Sequence, residues 1–238
     1  MAAGTTAVGA PNWEVLDQLR AAGADLLEEL SRELSASLEV VTELKVGDAS
    51  DVVAAAAEHY GAEFLLVGSR GLGSVGALIL GSVSLRLAVH APCPTVVVPE
   101  SADTIGDGPI LCAVDDSEAA RTAASTAATL SERLNASLVL VHVGAENAPA
   151  GHEGELLARL ATGIGLRSSA ETALARGDPA AAIVEAAATY GAAMIVIGSR
   201  GRGALASAVL GSVSSAVATH SPRAVMVVRE HQSDIADD

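Results

Sequence analysis

The 54 residues from Gly47, "GDASDVVAAAAEHYGAEFLLVGSRGLGSVGALILGSVSLRLAVHAPCPTVVVPE", return from Gly177 as "GDPAAAIVEAAATYGAAMIVIGSRGRGALASAVLGSVSSAVATHSPRAVMVVRE", at a constant offset of 130 with 23 identities and no gap. A gapless self-match of that length constrains the fold more than any single motif, because each copy must be one structural unit. Both copies read in the same order. "DVVAAAAEHYGA" and "AAIVEAAATYGA" are alanine-rich at helical spacing and close on a glycine, and the β-branched "EFLLVG" and "AMIVIG" follow as strands. "SVSLRLAVHA" and "SVSSAVATHS" are second helices stopped by Pro92 and Pro222, after which "TVVV" and "VMVV" end each copy as strands. Strands alternating with helices predict a parallel sheet covered on both faces.

The two copies are not preceded by the same material. Ahead of the second lie the strand "PILCAV", a turn at Asp115-Asp116-Ser117, the helix "EAARTAASTAATLSERLNA", the strand "SLVLVHV", a short helix "GELLARLATG" and a strand near "AETALARG". Five strands and about four helices are therefore expected between Ile110 and Glu230. The first copy is preceded only by the helix "WEVLDQLRAAGADLLEELSREL" and the strand "LEVVTELKV", so it lacks an opening βαβ. This reading divides the chain into an incomplete domain over 1–101, a linker over 102–108, a complete domain over 109–230 and a polar tail over 231–238.

Composition excludes several functions. A net charge of −15 with no local cluster of Lys and Arg gives nucleic acid no electrostatic foothold. Aromatics make up 2% of the chain, which leaves the core to aliphatic side chains and offers few stacking shelves. Cys93 and Cys112 lie inside apolar runs without ligand spacing and read as buried thiols of a reducing compartment. With no leader-like N-terminus and no apolar run approaching ~18 residues, the expectation is a soluble, cytoplasmic protein with no membrane partner.

The glycines carry the chemistry. A parallel strand ending in "VIGSRGRG" sets successive backbone N–H groups at the carboxyl edge of the sheet, where open α/β sheets bind ligands. Glycine there permits positive φ, expected at Gly201, and lets a phosphate come close. Gly211-Ser212 then opens the next helix, with Ser212 as N-cap and unpaired amides aimed at the same phosphates, while Arg200 and Arg202 add cations. Two rival motifs fail. Gly71-Leu-Gly73-Ser-Val-Gly76 spells GxGxxG, yet the second copy has Ala206 at the third glycine and no acidic residue follows at ~20 residues in the first; no Lys-Ser or Lys-Thr completes a Walker loop. The glycines could also serve tight turns alone, and Asp-Asp-Ser could be an ordinary helix cap. His90 and His220 sit late in helices, where they suit the dipole, and have no second ligand at metal spacing.

On these residues the chain resembles the universal stress protein family in its tandem form. The family's nucleotide signature, Gly, two residues, Gly, nine residues, Gly-Ser or Gly-Thr, stands here as Gly68, Gly71, Gly81-Ser82 and as Gly198, Gly201, Gly211-Ser212. In the second copy the strand endings "AVDDS" and "LVHV" extend the likeness. The resemblance implies a Rossmann-like fold, an open five-stranded sheet of order 3-2-1-4-5 in the second domain, and ATP or another adenine nucleotide, with or without Mg²⁺, as ligand. It implies that Asp115 and the Val143 backbone line the adenosine part, while Gly198, Arg200, Gly201, Gly203, Gly211, Ser212, Val213 and Ser214 surround the phosphates. The corresponding first-copy residues are Gly68, Arg70, Gly71, Gly73, Gly81, Ser82, Val83 and Ser84. It also implies that the closing strands of the two copies pair near Val96 to Val98 and Val225 to Val228, and it allows a homodimer.

Neither an activated nucleophile nor a Walker lysine is legible, so the expectation is a stress-response or signalling module that binds nucleotide as a regulatory ligand. A slow ATPase and a nucleotide-free interaction scaffold are the alternatives. In the family's strand order the missing opening βαβ is the centre of the sheet. "LEVVTELKV" and "FLLVG" must then pair directly, splay apart or borrow strands, and the first copy keeps its glycines with weak or no nucleotide affinity.

Overall fold

A computed structural model describes residues 13–70, 80–101, 106–144, 151–164, 170–201 and 209–230. The chain divides into two compact units, the boundary falling between Asp48 and Ala49. The first unit contains α1 (Trp13–Leu34), the helix expected from the sequence, and none of its residues is buried. No strand forms over 38–46, which corrects the expected "LEVVTELKV" strand. A strand needs a ladder for its N–H and C=O groups, and the neighbour that this segment takes in the 3-2-1-4-5 order has no counterpart in the first repeat. Leu38, Val41, Leu44 and Val46 consequently stay exposed.

The second unit runs α2 (Ala49–Tyr60), β1 (Leu65–Gly68), α3 (Ser82–His90), β2 (Thr95–Val98), β3 (Ile110–Ala113), α4 (Glu118–Arg133), β4 (Leu138–Gly144), α5 (His152–Gly163), β5 (Glu171–Arg176), α6 (Pro179–Thr189), β6 (Met194–Gly198), α7 (Ser212–His220) and β7 (Ala224–Val228). One seven-stranded sheet holds all the strands in the order β1-β2-β7-β6-β3-β4-β5. Counted within the second repeat, its last five strands run 3-2-1-4-5. The join between the repeats makes one continuous sheet of their two open sheets. β2 lies antiparallel to β7, with Thr95 opposite Val227, Val96 opposite Met226 and Val97 opposite Val225. This is the expected pairing of the closing strands, and it leaves neither as an open edge. Arg229 strengthens the join, since its Nη1 donates to the Ala91 carbonyl at the end of α3 at 2.9 Å.

Every other strand pair is parallel. Strand alternation divides the core between the two faces. Cys112, Leu140, Val196 and Met226 pack with Ala123 and Ala127 of α4 and with Leu156 and Leu160 of α5. On the opposite face Leu111, Val139, Ile195 and Val225 pack with Ala88 of α3, Ile183 and Ala187 of α6, and Val217 of α7. With so few aromatics, the alanine faces let the helices come close to the sheet, and each fully buried Val or Leu contributes roughly 1.5–3 kcal/mol.

Both cysteines are free and buried. Burial raises the thiol pKa of Cys93 and of the wholly enclosed Cys112, so neither forms a thiolate near neutrality. Titration of the native protein with a disulfide reagent at pH 8 is expected to give almost no reaction, and two thiols after denaturation. A second outcome concerns the join. Val97 is 1% exposed in a strand paired on both sides, so Val97→Pro removes a ladder N–H and strands a buried carbonyl at a cost of about 1–3 kcal/mol. Thermal denaturation should register the loss, and limited proteolysis should cut between the repeats faster than in the wild type.

Candidate functional site

The second repeat brings its site together at the carboxyl edge of the sheet. Central β3 ends at Ala113, and the chain turns through Asp115 into α4, whose N-cap is Ser117. The Ser117 hydroxyl accepts from Ala120 N–H at 3.2 Å, while Ser117 N–H donates to Asp115 Oδ1 at 3.0 Å and its hydroxyl approaches the same oxygen. The Asp-Asp-Ser turn is therefore both a cap and a holder of Asp115. Asp116 is occupied elsewhere, accepting from Arg121 at 2.7 Å and Arg159 at 2.9 Å.

The glycine loop leaves β6 and is clamped at its base. Gly211 N–H donates to the Ser199 carbonyl at 2.8 Å, and the Ser214 hydroxyl donates to the Gly198 carbonyl at 2.7 Å. Gly211 is the N-cap of α7, and Ser212 is its first helical residue. That corrects the expected Ser212 cap, but it leaves the first-turn amides of a nine-residue helix facing the loop, where a helix end favours an anion. Ser214 is 4% exposed with its hydroxyl engaged, so it holds the frame.

A cavity of about 510 Å³ opens between these elements, within the size range of small-molecule sites. Asp115, Val143, Gly198, Arg200, Gly201, Gly211, Ser212, Val213 and Ser214 all line it. Gly203 lies outside the described residues. Pro179 and Ile183 of α6 add an apolar wall, and His142 of β4 lines the cavity too; these three were missed in the sequence. "GDPAAAI" carries the signal for the first two, since the helix between the third and fourth strands of a repeat begins at the carboxyl edge. The signal for His142 is a lone polar residue inside the apolar run "SLVLVHV".

Two glycines are required by close approach. A Cβ on Gly198 would come within 2.9 Å of the Ala119 backbone. A Cβ on Gly201 would lie 2.8 Å from Asp115 Oδ2. The positive φ expected at Gly201 is not found; space beside the carboxylate, rather than backbone hand, selects glycine there.

The first repeat keeps the frame without the enclosure. Gly81 N–H donates to Ser69 O at 2.8 Å and the Ser84 hydroxyl to Gly68 O at 2.6 Å, bond for bond as in the second repeat. Ser82 and Val83 start α3, and Arg70 pairs with Glu100 at 3.2 Å. Gly71 and Gly73 lie outside the described residues. No counterpart of β3, α4 or β4 stands beside β1 in the sheet order, so β1 is an edge. Leu66 is 62% exposed, whereas Val196 at the equivalent place in β6 is 0% exposed under α4. Among the described residues no group of three potential metal ligands exists, and no helix is long and apolar enough to cross a membrane.

Fold and site together define a duplicated open α/β protein with a clamped glycine loop and a helix N-terminus around a cavity at its central strands. Comparison with known proteins specifies the family. The model of the universal stress protein family matches residues 3–99 and 108–229, and the chain belongs to that family. It is 35% identical over 184 residues to a universal stress protein of Mycolicibacterium smegmatis, covering 71% of this chain and 62% of that one. A universal stress protein of Mycobacterium tuberculosis is 32% identical over 184 residues, covering 70% of this chain and 61% of that one. The chain thus spans about three-fifths of the length of these relatives. Among solved structures, a universal stress protein from Archaeoglobus fulgidus superposes with a TM-score of 0.74 at 24% identity, covering 94% of this chain and 84% of that one. A structure assigned to the universal stress proteins from Pseudomonas aeruginosa superposes with a TM-score of 0.64 at 21% identity, over 87% of this chain and 78% of that one. These likenesses support the fold.

The glycine comparison yields a paired expectation. Gly198→Ala forces Ala119 backbone to move and should cost about 1–3 kcal/mol, several degrees in Tm for a chain of this size. Among the described residues, a Cβ at Gly68 meets the Arg70 carbonyl alone, at 3.3 Å, and Gly68→Ala should leave Tm within about a degree. Calorimetric melting of the two variants checks both.

Proposed function

We propose that the protein binds ATP or another adenine nucleotide as a regulatory ligand in a stress-response or signalling role, through its second repeat. The observation that carries this reading is the convergence of Asp115, Val143, Gly198, Gly201 and the 211–214 helix start on one cavity of about 510 Å³. An apolar wall of Val141, Val143, Pro179 and Ile183 suits a purine. Unpaired amides and the dipole of α7, with Arg200 beside them, suit a chain of phosphates. Asp116 is tied to two arginines, so a magnesium ion would be carried in largely by the phosphates rather than by a preformed acidic cage. The chain's single lysine, Lys45, is not among the residues lining the cavity, so no Walker-type lysine reaches the phosphates, which favours a binding role over efficient turnover.

In the first repeat the glycine frame lacks a neighbouring strand to supply counterparts of Asp115 and Val143, and its affinity is correspondingly weak or absent. Titration calorimetry on the 238-residue protein should give one ATP per chain. Two equal sites would contradict the assignment to the second repeat. In the Gly201→Ala, Gly211→Ala double variant, new methyl groups would lie 2.8 Å from Asp115 Oδ2 and 3.2 Å from the Ser199 carbonyl. ATP affinity should fall by about tenfold or more. Unchanged affinity in the folded variant would refute the reading.

A further inference from the structure

The ladder between β3 and β4 stops one bond early, and a side chain stands where the missing bond would be. Along the paired stretch the hydrogen bonds follow the parallel rule. Ile110 N–H donates to Ser137 O at 2.8 Å and Val114 N–H to Val141 O at 2.9 Å, with Ile110 opposite Leu138 and Ala113 opposite Val141. In such a ladder the next bond runs from Val143 N–H to Val114 O. It is not made: β3 ends at Ala113, and no bond from Val143 N–H to Val114 O occurs. Instead the His142 ring, on a residue 8% exposed, places Nδ1 2.8 Å from that same carbonyl. Because a carbonyl oxygen only accepts, Nδ1 carries the proton and donates.

The other side of β4 is firmly held. It continues to Gly144 by pairing with β5, Val143 opposite Ala175 and Gly144 opposite Arg176. Gly144 has no room for a Cβ because Arg176 and Glu153 lie against it, and those two form an ion pair at 2.6 Å around a Glu153 that is 6% exposed. In a parallel strand the N–H and C=O of one residue point to the same side. Those of Val143 therefore face β3, beyond the point where β3 offers partners, at a residue that lines the cavity.

We infer that His142 is a positioning residue for base selection: by satisfying the Val114 carbonyl it keeps the ladder from closing, and so reserves the Val143 main chain for the edge of the base. A donor and an acceptor side by side on one residue match the adjacent ring nitrogen and exocyclic amine of adenine. The corresponding guanine edge presents an N–H and a carbonyl and is rejected by unpaired like groups. The base-selection half rests on the nucleotide reading proposed above; the ladder half does not.

Amide hydrogen exchange on the full-length, ligand-free protein tests the ladder half. The Val143 amide should exchange at least ~tenfold faster than that of Val141, and in His142→Leu, where the carbonyl is released, it should become protected. His142→Asn keeps a donor on Cγ and should behave as the wild type, which also controls for loss of folding in the leucine variant. Titration tests the selection half. His142→Leu should lose about tenfold in ATP affinity and most of the preference for ATP over GTP, while inorganic triphosphate binds as before. A Val143 amide already protected in the wild type, or an asparagine variant indistinguishable from leucine, overturns the ladder role. Equal losses for ATP and triphosphate overturn the selection role. Wild-type protein that ignores ATP while Val143 exchanges as expected overturns the nucleotide reading and base selection together, and leaves the ladder role standing.

Discussion

The close approach of α4 to the sheet is the contact on which the rest of the second repeat depends. Ala119 lies so near Gly198 that no side chain fits between them, and Ala123 and Ala127, both fully buried, continue the same face. A helix of small residues over the central strands lets β3 and β6 share a floor and brings their carboxyl ends together. Asp115 then stands at the start of that helix and Gly201 against its carboxylate. Where the helix has no counterpart, beside β1, the same glycine frame forms but the adjoining strand face lies open at Leu66.

The glycine frame is thus a local structure, whereas the cavity is not. Ser84 and Ser214 make the same hydrogen bond in both repeats, so a strand, a loop and a helix start suffice to form the frame. The enclosure in the second repeat adds β3 and β4, which lie far upstream of the loop, to the adjacent α6. The first repeat keeps α2 in the place of α6 but has no counterpart of β3 or β4 beside β1, so the strand wall and the carboxylate are gone while the hydrogen bonds of the loop remain.

This separation explains what could be read in advance. Offset 130 gave the architecture of both copies, and the family likeness supplied the closing-strand pairing, because identical sequences at Gly68 and Gly198 or at Val97 and Val227 have the same backbone requirements. Failure came wherever a requirement was set by a partner. The segment 38–46 has strand composition but no ladder to join. Gly201 looked like a position needing left-handed backbone and is instead spaced by Asp115. Ser212 looked like a cap, but Gly211 takes that place and the serine starts the helix. His142 passed as one polar letter in a buried strand, since nothing in "LVHV" says that its ring reaches the carbonyl at the end of another strand.

The antiparallel join has a consequence for where the two glycine frames face. Because β2 opposes β7 in direction, the carboxyl ends of β1 and β2 emerge at the opposite rim of the sheet from those of β3, β4 and β6. The two glycine frames therefore look away from each other, and no single dinucleotide can span them. Any influence of one rim on the other has to pass through the body of the sheet, across β7 and β2, as a change in strand twist or register. Arg229, reaching over that seam to Ala91, is a side chain that ties the two oppositely directed halves together.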